Sequence, residues 1–69
     1  MNKYEVVLII KKISVKSRFH ITLDNRRFYN GTLISFDSDE TLDIQDDEIG
    51  YYPIPYSKII NVEPFKKKK

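Results

Sequence analysis

From Ile13 to Leu23 the chain alternates apolar and polar residues with a period of two. Ile13, Val15, Phe19, Ile21 and Leu23 fall on one side, with Ser17 as a gap, and Ser14, Lys16, Arg18, His20 and Thr22 on the other. A period of two belongs to a strand with one buried and one wet face. The rest of the chain follows the same rule in shorter pieces. Asp24-Asn25-Arg26-Arg27 has turn chemistry. Phe28 to Phe36 is a second β-rich run, and Gly31 inside it marks a bend or a close backbone approach. Asp37-Ser38-Asp39-Glu40 is a turn, Leu42 and Ile44 mark a short strand, and Asp46 to Gly50 is a loop. Tyr52 and Ile54, interrupted by Pro53 and Pro55, suggest a fourth strand, and Ile59 to Val62 a fifth. Residues 3–12 read two ways. Tyr4, Val7 and Leu8 have helical spacing, whereas the β-branched Val6, Val7, Ile9 and Ile10 favour a strand. Five short strands with a bent second one point to a small closed barrel, because closure removes exposed edges.

With 69 residues there is room for one domain. A core of this size is marginal and usually needs a staple. No cysteine and one histidine exclude disulfides, thiolate zinc sites and most histidine metal sites, so no metal or cofactor is expected. Oligomerisation is the staple that remains. The apolar run Val6–Ile10 is too short to span a membrane. A cytoplasmic protein is expected, with a domain over residues 1–65 and a disordered basic tail over 66–69.

Charge is segregated. Residues 1–36 hold seven Lys/Arg and two acids, residues 37–48 seven acids and no base, and residues 49–69 five Lys and one Glu. Contact with nucleic acid would therefore be confined to the basic faces and the tail.

Catalysis finds no support. His20 reads as an exposed strand histidine with no identifiable nucleophile or orienting acid, and two glycines cannot make a phosphate loop. Asp37, Asp39, Thr41, Ile44 and Glu48 fall at calcium-loop spacings, but Leu42 occupies the glycine position. A solvated acidic turn is the simpler reading. Tyr51, Tyr52 and Tyr56 suggest an aromatic cluster able to stack on bases or grip an extended peptide, against barrel packing as the plain alternative.

The stretch Phe19–Ile44 is more specific. It has an alternating strand, a turn, an aromatic before glycine, Thr-Leu, an aromatic-Asp pair and two apolar residues spaced by one: Ile21, Leu23, Tyr29, Gly31, Leu33, Phe36, Asp37, Leu42 and Ile44. This pattern resembles the first motif of the Sm-like family. Ile54, Ile59, Ile60 and Val62 match the apolar positions of its second motif, so the resemblance covers roughly residues 13–63.

The resemblance implies an all-β fold, a small, strongly bent five-stranded SH3-like (Sm-fold) barrel, with a short helix or an extra strand at its start. It implies a homo-oligomeric ring, joined through Tyr52, Ile54, Ile60 and Val62 on the fourth and fifth strands, that binds single-stranded RNA at the pore. Gly31 would let the second strand bend, and Asp37 would cap the turn after it. Some residues depart from the family pattern. Arg26-Arg27 stand where the family has Gly-Arg. Asp39 and Thr41 stand where it has an aromatic or His and then Asn. Pro55-Tyr56 replace Arg-Gly. The expected RNA-contacting set is therefore Asp39, Thr41, Tyr56, Lys58, Arg26 and Arg27. Two other readings stay open: a barrel serving as a protein-interaction or assembly module without strong RNA binding, and a monomeric barrel binding DNA duplex through its basic strand face.

Overall fold

A computed structural model describes residues 1–14 and 16–65. The expected tail at 66–69 lies outside them. The chain forms α1 (Lys3–Ile13), β1 (Arg18–Leu23), β2 (Phe28–Ser35), β3 (Thr41–Asp46), β4 (Gly50–Pro55), a 3-10 turn (Tyr56–Lys58) and β5 (Ile59–Pro64). The strands make one antiparallel sheet in the order β4-β3-β2-β1-β5. The fold is thus mostly β, with one N-terminal helix.

The ambiguity at residues 3–12 resolves to a helix. The Asn2 side chain accepts from the Glu5 N–H while the Glu5 carboxylate accepts from the Asn2 N–H, a complete capping box. Lys11 and Lys12 complement the dipole in the last turn. The helix buries Val6 and Ile10, four residues apart, and leaves Tyr4 and Leu8 exposed. The core stripe is therefore not the Tyr4–Val7–Leu8 face.

The first strand is shorter than the alternation suggests. Ile13 closes the helix, and the Ser14 N–H still donates to the Ile10 carbonyl. The strand proper starts at Arg18, one residue after the gap at Ser17. From there the alternation holds: Phe19, Ile21 and Leu23 are buried.

Leu42, Ile44, Ile54, Ile59, Val62 and Tyr56 complete one core with Val6 and Ile10 from the helix. The sheet has to curl. Laid flat, its two edge strands would stand about 19 Å apart. Yet Pro55 at the end of β4 and Ile59 at the start of β5 are joined by the three residues of the 3-10 turn, a link that spans at most about 14 Å. The edge strands β4 and β5 form no ladder with each other, so the sheet curls without closing through backbone pairing.

Gly31 meets the expectation of a close approach. A Cβ there would run into the Gln45 carbonyl on β3. Strand β2 also carries a register irregularity between Leu33 and Ser35, so its bend is distributed over both features. The turn after β2 is capped by Ser38, whose Oγ accepts from the N–H groups of Glu40 and Thr41 at 3.2 Å each. Ser38 thus takes the role expected of Asp37, because its Oγ lies within reach of both amides.

Candidate nucleic-acid interface

The expected contact residues fall into two groups, joined through the 3-10 turn, which holds Tyr56 of one and Lys58 of the other. Asp39, Thr41 and Tyr56 line a groove of about 470 Å³ with Asn2, Lys3, Glu40, Pro55 and Ser57. Its character is acidic. Lys3 pairs with Asp39 at 3.0 Å, and the Thr41 hydroxyl donates to Asp43 at 3.1 Å. Tyr56 is buried and its hydroxyl has no partner. Burial first, then the Asp43 and Asp39 carboxylates, push the Tyr56 phenol up from its ordinary 10.0. Its ring belongs to the core and offers no open face for a base.

Arg26, Arg27 and Lys58 make the second group. The Asp24 N–H donates to the Lys58 carbonyl at 2.9 Å, so Lys58 is tied to the β1–β2 turn. Arg26 and Arg27 are exposed in that turn, closed by the Leu23 N–H donating to the Arg27 carbonyl and the Arg26 N–H to the Leu23 carbonyl. Arg26 has φ 69°, in the left-handed region that suits glycine.

Beside this turn the structure places an aromatic pair that sequence reading assigned differently. Tyr52 stacks on Tyr29, with centroids 4.7 Å apart and planes at 28°. Both lie on the inward side of the sheet at the rim of the core and are half-buried. A hydrogen bond with Tyr29, then partial burial, raise the Tyr52 phenol above 10.0, and the nearby Arg27 pulls it back. The three tyrosines therefore do not cluster: Tyr51 is exposed on the opposite face, Tyr52 stacks, and Tyr56 is in the core. In the sequence pattern Tyr29 is only a motif position. Its partnership follows from the register Ile21–Tyr29 and Ile44–Tyr52, which sets both on the core side.

Of the residues expected to join subunits, Ile54 and Val62 are buried in the protomer's own core, Tyr52 is held against Tyr29, and Ile60 is 56% exposed. Of these four side chains, Ile60 alone is exposed. The calcium spacing is also accounted for. Thr41 to Asp46 form strand β3, which turns Ile44 into the core and draws the acids out along an extended segment. Asp46, read as a loop acid, is buried, and its carboxylate accepts from the N–H groups of Glu48 (2.9 Å) and Ile49 (3.1 Å) to form the β3–β4 turn. Gly50 closes that turn at φ 81°.

Comparison with known protein families, curated proteins and solved structures finds no match. No helix among the described residues is long and apolar enough to cross a membrane.

Proposed function

We propose that this chain is an Sm-like barrel protein that binds single-stranded RNA and assembles into a homo-oligomeric ring. The observation that carries the RNA reading is the exposed Arg26–Arg27 turn, which is tied to Lys58 and leads two residues later into Tyr29 of the Tyr29–Tyr52 stack. Guanidinium groups next to aromatic rings suit a strand whose phosphates and base faces are both accessible. The acidic groove at Asp39 repels phosphate and is not part of the binding surface. The barrel reading draws support from the strand order, the curl forced by the short link between β4 and β5, and the helix over the core.

Ring assembly would join the two free edges, β4 of one copy and β5 of the next. Antiparallel apposition of Pro53 with Val62, and of Tyr51 with Pro64, sets each proline carbonyl opposite an N–H on the other copy. Each such pair keeps one of its two hydrogen bonds. The module reading is favoured by the prolines themselves, which strip donors from both edges and suit a protomer that stays single.

The test is titration of single-stranded RNA and of duplex of the same sequence, with the solution mass measured in parallel by light scattering. Preference for the single strand, together with a mass several times the protomer, supports the proposal. A monomer without RNA affinity favours the interaction module. A monomer preferring duplex favours the DNA reading.

A further inference from the structure

Strands β2, β1 and β5 present an outward face built around His20. The register sets Asn30 and Glu63 on either side of it, Thr22 between Phe28 and Asn61, and Arg18 opposite Thr32. The Phe65 N–H donates to the Arg18 carbonyl at 3.0 Å, which continues the ladder by one pair and brings Phe65 beside Arg18. Phe28 and Phe65 therefore occupy opposite corners of the face, with His20 between them.

Phe28 is the exposed ring of the three, and His20 and Phe65 are half-buried. Phe28 is 58% exposed and meets the His20 ring with centroids 5.0 Å apart. The His20 Nδ1 lies 2.6 Å from the Asn30 Oδ1, an acceptor, so Nδ1 carries the hydrogen and the ring is fixed in orientation. On the other side a concavity of about 420 Å³ is lined by His20, Glu63, Pro64 and Phe65. The Arg18 guanidinium lies 5.3 Å from the Phe65 centroid and pairs with Asp47.

We propose that the Phe28–His20–Phe65 diagonal is a stacking platform for unpaired nucleobases, separate from the Tyr29–Tyr52 rim on the inward side. Charge supports this occupant. Arg26 lies two residues before Phe28 at one end of the row, and Arg18, paired with Asp47, lies against Phe65 at the other, with Glu63 opposite His20 between them. Cations beyond both ends of an aromatic row match phosphates that flank stacked bases. A duplex hides its base faces inside its own stack, so the surface selects single strands. The inference rests on the RNA reading above.

The experiment measures the affinity of short oligouridylate and oligoadenylate single strands for the unmodified protein, Phe28→Ala, Phe65→Ala and Phe28→Tyr. The His20 and Phe28 ring resonances are followed by NMR on addition of RNA. Phe28 lies at the surface, and circular dichroism checks that each variant folds. Each alanine variant is expected to lose about tenfold in affinity. Phe28→Tyr should keep the unmodified value, and both ring signals should shift upfield. Unchanged affinity in both alanine variants, with the unmodified protein binding RNA, overturns the platform and leaves the RNA function standing. No RNA binding by the unmodified protein overturns both, as does binding of an extended proline-rich peptide in place of RNA.

Discussion

The Tyr56 N–H donates to the Glu40 carbonyl at 2.9 Å, and this bond sets the phase of the whole β3–β4 ladder. Hydrogen-bonded and non-bonded pairs alternate in an antiparallel ladder. Leu42–Ile54 and Ile44–Tyr52 are then bonded pairs, whereas Thr41–Pro55 and Asp43–Pro53 are not. Both proline nitrogens point away from β3. The bond from Phe65 to Arg18 fixes β5 in the same way and turns the Pro64 nitrogen away from β1. All three prolines of the chain thus lie on the two free edges, where a missing N–H breaks no internal bond.

Replacing Pro53 and Pro55 by alanine should therefore leave the protomer fold intact and add two donors to the β4 edge. Each restored donor completes a pair in the proposed contact between copies. Light scattering across a dilution series should show an assembly that persists to lower concentration than that of the unmodified protein. Equal dissociation of both forms would mean that this edge is not the contact.

Arg26 holds a left-handed backbone conformation, and it enters neither of the described ion pairs, Lys3–Asp39 and Arg18–Asp47. Arg26→Gly removes the strain and should raise unfolding stability by about 1 kcal/mol. It also removes a proposed phosphate contact and should weaken RNA binding, with the salt slope reduced by about one. Denaturant unfolding and RNA titration on the same variant check both directions.

The buried Tyr56 hydroxyl has no partner, so Tyr56→Phe should be neutral or stabilising by about 1 kcal/mol in denaturant unfolding. The folded chain holds this proton more tightly than the unfolded chain does. The unmodified protein therefore keeps that contribution in full below pH 10.0 and loses it as pH rises through the higher folded value. Tyr56→Phe should show a shallower alkaline decline, though not a flat one, because the Tyr52 phenol is raised as well.

Gly31→Ala sets a methyl group against the Gln45 carbonyl, where neither strand can give way without breaking the β2–β3 ladder. A loss of about 3 kcal/mol or more is expected, read as a lower unfolding midpoint. Loss well below that value would show that β2 can bend around the extra carbon.

Much of this architecture was legible because alternation reports burial directly. Phe19, Ile21, Leu23, Leu42, Ile44 and Ile54 were all placed on apolar faces and are all buried. The apolar residues of 3–12 leave helix and strand open, and the structure resolves them to a helix. Asn2 and Glu5 have capping-box spacing, a local signal that outweighs the β-branched run after them. Ile13 misled because a helix end and a strand start fell in phase by chance. The proposed binding surfaces are harder to see in the sequence. The Tyr29–Tyr52 stack and the Phe28–His20–Phe65 row come from cross-strand register, which brings together residues far apart in the chain. The burial of Tyr56 follows from the curl of the sheet, which no local pattern encodes.

The central claim is that RNA phosphates are held at the turn carrying Arg26 and Arg27. The direct measurement is the affinity for single-stranded RNA over a range of salt, for the unmodified protein and for Arg26→Glu/Arg27→Glu. The account predicts affinity that falls steeply with salt in the unmodified protein and is lost in the double variant. Equal affinity and equal salt dependence in the two proteins would contradict it.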